Sequence, residues 1–165
     1  MASQRGFGYL LLLFALALSG LMLAGLGQTW TRTAQRERET ELLFIGLEFS
    51  EALAKYRDRT PAGQPTAPRS LDELVEDKRF PHPMRHLRRI YRDPMTRESE
   101  WGAVLVQGRI AALHSLSQDQ PLREHLPEFV VLGPDGPDRQ GYSRWSFVAL
   151  PESAASGAQA PPKSP

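Results

Sequence analysis

Two consecutive stretches decide the reading of this chain: GFGYLLLLFALALSGLMLAGLG, residues 6–27, and QTWTRTAQRERETELLFIGLEFSEALAKYR, residues 28–57. The first holds 22 residues with no charge and no proline. As a helix it would be roughly 33 Å long at about 1.5 Å per residue. That matches a hydrocarbon core of roughly 30 Å, so a membrane-crossing helix is expected over residues 7–27. A cleavable secretory signal is the rival, because residues 24–27 are small at three of four positions; its apolar core is usually shorter, about 7–15 residues. The second stretch has one glycine, Gly46, and no proline, and is rich in good helix formers. Leu42, Ile45, Phe49, Ala52 and Tyr56 recur every three or four residues, with Leu53 beside them. This is an apolar stripe on a helix that must be covered by something. One helix from about residue 7 to about residue 57 is predicted, apolar all round at first and amphipathic afterwards.

Working outward, residues 60–68 hold three prolines and a glycine and read as a loop. Ser70 with Glu73 has capping-box spacing, so a short helix is expected over residues 70–79, with Leu71, Leu74 and Val75 facing inward. Asp93-Pro94 reads as a turn. Residues 101–116 read as a β-hairpin turning at Gly108-Arg109, residues 129–132 as a third strand and residues 142–150 as a fourth. The last fifteen residues, 151–165, carry no aliphatic side chain larger than alanine and are expected to be a disordered tail. About 90 residues remain for the folded region, a small number for an independent core. The expected architecture is therefore α+β: a long N-terminal helix, transmembrane and then amphipathic, packed on a small antiparallel β-sheet.

The chain has 165 residues and a formal charge of +1, which gives no general reason to expect nucleic acid as a partner. It has no cysteine, which excludes disulfides and thiolate chemistry. The charges are unevenly spread. Residues 78–97 hold seven Lys and Arg against one acid, Asp93. Arg85, Arg88, Arg89 and Arg92 form a candidate basic contact surface, the alternative being that the group pairs with Asp72, Glu73, Glu76 and Asp77 upstream. In the apolar run, Ala15 with Ser19 and Gly20 with Ala24 are small residues four apart, a spacing that permits close helix packing in a membrane or a fibre. His82 and His86 lack a third metal ligand, and His114-Ser115 lacks an orienting relay. Asp135 and Asp138 lack an EF-hand pattern. No catalytic, cofactor-binding or metal site is assigned, and a non-enzymatic role is expected.

The opening Gln4-Arg5-Gly6-Phe7-Gly8-Tyr9-Leu10, the long helix, and the segments PRSLDELVEDKRFPHP and LRRIYRDPMTRESEWG together resemble type IV pilin-like proteins, in particular type II secretion pseudopilins. The resemblance covers most of residues 4–117. It implies a short leader, residues 1–6, cut by a prepilin peptidase between Gly6 and Phe7, and N-methylation of Phe7. It also implies a single-pass protein of the bacterial inner membrane, with residues 58–150 as a periplasmic domain and other pseudopilins or secretion-machine components as partners. Arg32, Arg36 and Arg38 after the apolar run, against Arg5 before it, point the other way on charge alone. The family usually places a glutamate five residues into the mature chain; this sequence has Leu11. That departure keeps a second expectation open, a membrane-anchored periplasmic binding module that does not enter a fibre.

Overall fold

The structure, a computed structural model, describes residues 5–134 and 139–151, and within the long helix the side chains of all but residues 5–7 and 20–30. Among these residues the order is α1 (Arg5–Asp58), α2 (Asp72–Val75), β1 (Gly102–Val106), β2 (Arg109–His114), β3 (Val130–Leu132), a 3-10 turn (Gly141–Arg144) and β4 (Trp145–Val148). The chain is α+β with a four-stranded antiparallel sheet, and α1 has nearly the predicted bounds. The expected leader and tail fall largely on residues outside those described.

The chain divides into two compact units, residues 1–37 and residues 38–165. In the first, the described apolar side chains, Tyr9 to Leu18, are exposed. Among the described residues no helix is long and apolar enough to cross a membrane.

In the second unit the helical stripe is buried as its spacing predicts. Leu42, Ile45, Phe49, Ala52, Leu53 and Tyr56 are each less than 5% exposed. Ile45, Phe49, Ala52, Leu53 and Tyr56 pack with Leu74, Leu87, Ile110 and Leu113. Leu42 and Leu43 pack with Val130, Tyr142, Trp145 and Phe147. The sheet therefore uses the helix as the other half of its core, which a domain this small needs.

Gly46 sets how closely the two approach. A Cβ there would collide with the ring of Phe147, lying 2.8 Å from its Cζ and nearer still to two other ring carbons. Phe147 is fully buried, with Trp101 and Phe129 as aromatic neighbours, so its ring has nowhere to move. Helix glycine is ordinarily unfavourable; here it admits an aromatic ring from β4.

The strand order is β1-β2-β4-β3. Ala112 pairs with Val148 and Leu113 with Phe147 across β2 and β4, while Val130 pairs with Phe147 across β3 and β4. The β1–β2 turn is Gln107-Gly108, one residue earlier than predicted. Both residues have positive φ, 52° and 72°, the requirement of a two-residue hairpin turn whose twist matches its strands. The fourth strand is shorter than expected, because residues 141–144 form the 3-10 turn.

The helix predicted over residues 70–79 is also corrected, to Asp72–Val75. Continuing it would require the Leu74 carbonyl to accept from residue 78. That carbonyl instead accepts from His86 N at 2.9 Å and Leu87 N at 2.8 Å, and Asp77 makes a backbone bridge to Met84. The capping box does not form either. Leu71 stands at the N-cap without a side-chain bond, and the Glu73 carboxylate accepts from Arg69 N and the Tyr56 hydroxyl.

One buried carboxylate ties the irregular segment before β3 to α1. Glu39 is 3% exposed and accepts from the Tyr142 hydroxyl at 3.0 Å and from Leu122 N at 3.1 Å, with Arg123 Nε at 3.6 Å from its other oxygen.

Gly46→Ala is expected to lower the stability of the domain. Overpacking against Phe147 costs about 1–3 kcal/mol, which exceeds the gain of about 0.5–1 kcal/mol from replacing a helix glycine. Urea unfolding followed by tryptophan fluorescence measures this; a midpoint at or above that of the parent would show that the approach is not tight.

Candidate functional site

The most distinctive surface of the chain is the segment that carries the predicted arginines, residues 84–93. It has no regular secondary structure and is held by four residues turned inward, His86, Leu87, Tyr91 and Asp93. His86 and Leu87 are buried, their N–H groups donating to Leu74 O. The Tyr91 carbonyl accepts from Trp101 Nε1 at 2.8 Å, and the Tyr91 ring meets Phe49 edge-on. Asp93, fully buried, accepts from the Ser115 hydroxyl at 2.6 Å and from Met95 N at 2.8 Å. Its backbone N–H donates to Glu98 O and its carbonyl accepts from Arg97 N, which closes the expected Asp-Pro turn. The intervening Arg85, Arg88, Arg89 and Arg92 are consequently all exposed.

These four arginines do not pair with the acids upstream. Three of those acids are engaged elsewhere, and the fourth, Asp72, is exposed. Asp77, 1% exposed, is bound by Arg79 through both carboxylate oxygens, the shortest contact being 2.7 Å, and by His86 Nε2 at 3.0 Å. Glu76 faces Lys78 at 3.7 Å on the surface, and Glu73 holds Tyr56 and Arg69. Among the described residues none of Arg85, Arg88 and Arg92 has an ion pair or a side-chain hydrogen bond, and Arg89 only leans over the Tyr91 ring, its Cζ 5.3 Å from the centroid.

The Asp77 node is what fixes the start of this segment. The Arg79 guanidinium also donates to Thr60 Oγ1, Pro65 O and Tyr56 O, and stacks 3.6 Å above the centre of the Tyr56 ring. Every donor edge of Arg79 is thus spent inside the fold. Burial by itself would raise the Asp77 pKa, but the hydrogen bonds from Arg79 and His86 outweigh it and hold the carboxyl at about 2. The Arg79 pKa rises through its bonds to Asp77. Burial and then the bond to Glu73 push the Tyr56 hydroxyl up to about 12. A cleft of about 530 Å³ lies beside the node, with Arg69, Lys78 and Arg109 facing Asp72, Glu73 and Glu76. Its charges are mixed, and Arg109 is already bound to Ala67 O at 2.8 Å.

The remaining candidates are not brought together. His82 is exposed while His86 is buried on Asp77. His114 Nδ1 lies 2.9 Å from Ser115 O, and the Ser115 hydroxyl donates to Asp93 instead of to an imidazole. Burial lowers the His114 pKa. Among the described residues no cluster of His, Asp and Glu could hold a metal ion. Asp135 and Asp138 lie outside the described residues, as do the side chains of Phe7 and Ala24 and the surroundings of Gly6 and Gly20. Ala15 and Ser19 are exposed, and the Ser19 hydroxyl donates back to Ala15 O at 2.8 Å within the helix. Comparison with protein-family models, with curated proteins and with solved structures finds no match for this chain.

The Asp77 node carries a defined pH dependence. With a folded value of about 2 against an ordinary 3.8, its stabilisation is fully present above about pH 4 and is lost as pH falls toward 2. Its magnitude is about 2 kcal/mol. Asp77→Asn is expected to cost about 3–5 kcal/mol at pH 7, because Arg79 keeps its buried position without a carboxylate. The gap between parent and variant in urea melts should narrow between pH 4 and pH 2.5; a constant gap would contradict the assignment.

Proposed function

We propose that this chain is a non-enzymatic, pilin-like structural subunit, a pseudopilin of a type II secretion or related pilus-like machine. In this reading residues 1–6 are a leader removed by a prepilin peptidase and Phe7 becomes the methylated amino terminus. Residues 7–27 anchor the protein once across the inner membrane, and the sheet domain is periplasmic. Work is mechanical: the anchor holds the subunit in the bilayer, and packing of helices through faces such as Ala15, Ser19, Gly20 and Ala24 builds a short fibre with other pseudopilins.

The observation that carries the proposal is a division of labour written along α1. After Arg5 its sequence runs through 22 uncharged residues that begin with Gly6-Phe7, and its later part supplies a core stripe to a four-stranded antiparallel sheet. An apolar run of that length and composition is suited to lipid, while the stripe beyond it needs the sheet. Leu11 favours a second reading. Without a carboxylate there, insertion is easier by roughly 2.5–3.5 kcal/mol, and the subunit has one cue fewer for leaving the bilayer, as a membrane-anchored periplasmic binding module would.

Co-expression of the full chain with a prepilin peptidase, followed by amino-terminal sequencing, tests the proposal. A mature chain beginning at Phe7 is expected, and Gly6→Trp is expected to abolish cleavage while leaving membrane insertion intact. A chain that keeps its Met-Ala start, or a Gly6→Trp variant that is processed normally, would overturn it.

A further inference from the structure

The sheet ends on one side in a bare edge. β1 is outermost, with only β2 beside it. The Gln107-Gly108 turn makes Val106 and Arg109 a hydrogen-bonded pair, and such pairs alternate along an antiparallel ladder. The bulge in this hairpin falls in β2, at Ala111, so the alternation along β1 is unbroken. Gly102, Val104 and Val106 therefore bond to β2, and the N–H and C=O groups of Ala103 and Leu105 point outward. Among the described residues no hydrogen bond reaches those outward groups. Ala103 is exposed, and Leu105 and Val106 are 57% and 58% exposed. Edge strands are commonly guarded by lysine, proline or an inward-turned charge. Residues 102–108, GAVLVQG, hold none of these. The opposite edge strand, β3, is three residues long, and its first N–H already donates to the Pro127 carbonyl.

We infer that β1 pairs edge to edge, antiparallel, with β1 of a second copy of this chain, joining two four-stranded sheets across a two-fold axis. The strand is complementary to itself. An axis at Val104 sets Ala103 opposite Leu105 of the second copy, and Leu105 opposite its Ala103. These are the residues whose backbone groups point outward, so each pair exchanges two N–H···O bonds. The side chains match in size: Gly102 lies opposite Val106 and Ala103 opposite Leu105, small against large on both sides of the axis. The flanks carry opposite charge. Exposed Glu100 comes opposite Gly108 of the second copy, one residue from Arg109. Among the described residues that guanidinium bonds only through Nη1, to Ala67 O. A partner of other sequence could take the same backbone bonds; a second copy also matches the side-chain sizes and the flanking charges. The contact uses residues 100–109 and does not depend on the pilin reading.

Single cysteines on this cysteine-free chain report the register. The full chain is expressed without a prepilin peptidase, so the contact is read apart from processing and fibre assembly, and is oxidised mildly in detergent solution. Val104→Cys would meet its own copy across the axis at a Cα separation of about 4.5 Å, within disulfide range. Ala103→Cys would lie roughly 9 Å from its copy, beyond that range. Val104→Cys is expected to give about ten-fold more disulfide dimer than Ala103→Cys. Adding Leu105→Pro, which removes only an outward N–H, should lower the Val104→Cys dimer by about ten-fold. On the native sequence, the amides of Ala103 and Leu105 should exchange about ten-fold faster after dilution, while those of Val104 and Val106 stay protected by β2. Equal dimer from the two cysteine positions overturns the inference, as does a Val104→Cys dimer that survives Leu105→Pro. Outward amides that exchange freely at every concentration also overturn it. So does protection that ignores dilution, which would assign the edge to a segment of the same chain. The exchange is read on the native sequence, so it decides the matter even if Leu105→Pro fails to fold.

Discussion

The ring of Phe147 resting on Gly46 is the contact on which the rest of the domain depends. It brings β4 against α1 at a distance only a glycine allows. From there β4 sets both of its neighbours, β2 through Leu113 and β3 through Val130, which meet Phe147 from its two sides. Trp101, which lies between the two core clusters, touches Phe147 on one side and Phe49 on the other. A four-stranded sheet with strands of three to six residues cannot bury enough apolar surface by itself. The amphipathic part of α1 supplies the missing half, and no covalent staple is available to replace it.

The parts of this fold set by local periodicity were legible in the sequence. The buried helix positions repeat every three or four residues, and six of them were identifiable from spacing alone. The strands at residues 102–114 and 130–132 lie within the apolar stretches that turn residues mark off in the sequence. What was not legible depends on distant partners. The helix at residues 72–75 stops because the Leu74 carbonyl is taken by backbone groups more than ten residues later. The capping box fails because Tyr56, on α1, claims the Glu73 carboxylate. The role of Gly46 required knowing which aromatic ring would arrive from residue 147. Glu39 gave no signal at all: a glutamate in a mixed-charge helix looks solvated until the Tyr142 hydroxyl and Leu122 N–H are seen to meet it.

The basic segment shows the same limit at the level of a site. Its composition was plain, and so was the choice between a solvated, internally paired group and an open one. Which of the two occurs was decided by burial. Asp77 and Asp93, one on each side of the arginines, turn inward and are engaged there, one by Arg79 and His86 and the other by Ser115 and the Met95 N–H. The same turns that hide these carboxylates push Arg85, Arg88, Arg89 and Arg92 outward. Fold and surface charge therefore have one cause: a segment without regular secondary structure, pinned at His86, Leu87, Tyr91 and Asp93.

Native-state hydrogen exchange on the full chain tests the central claim most directly, because it asks whether helix and sheet open together. If the sheet borrows its core from α1, the amides of residues 45–56 and those of residues 110–113 and 146–148 should share one opening free energy. They should also show the same dependence on urea. Helix amides that open at lower free energy than the sheet, with the sheet still protected, would mean that the sheet is stable without the helix and would contradict the account.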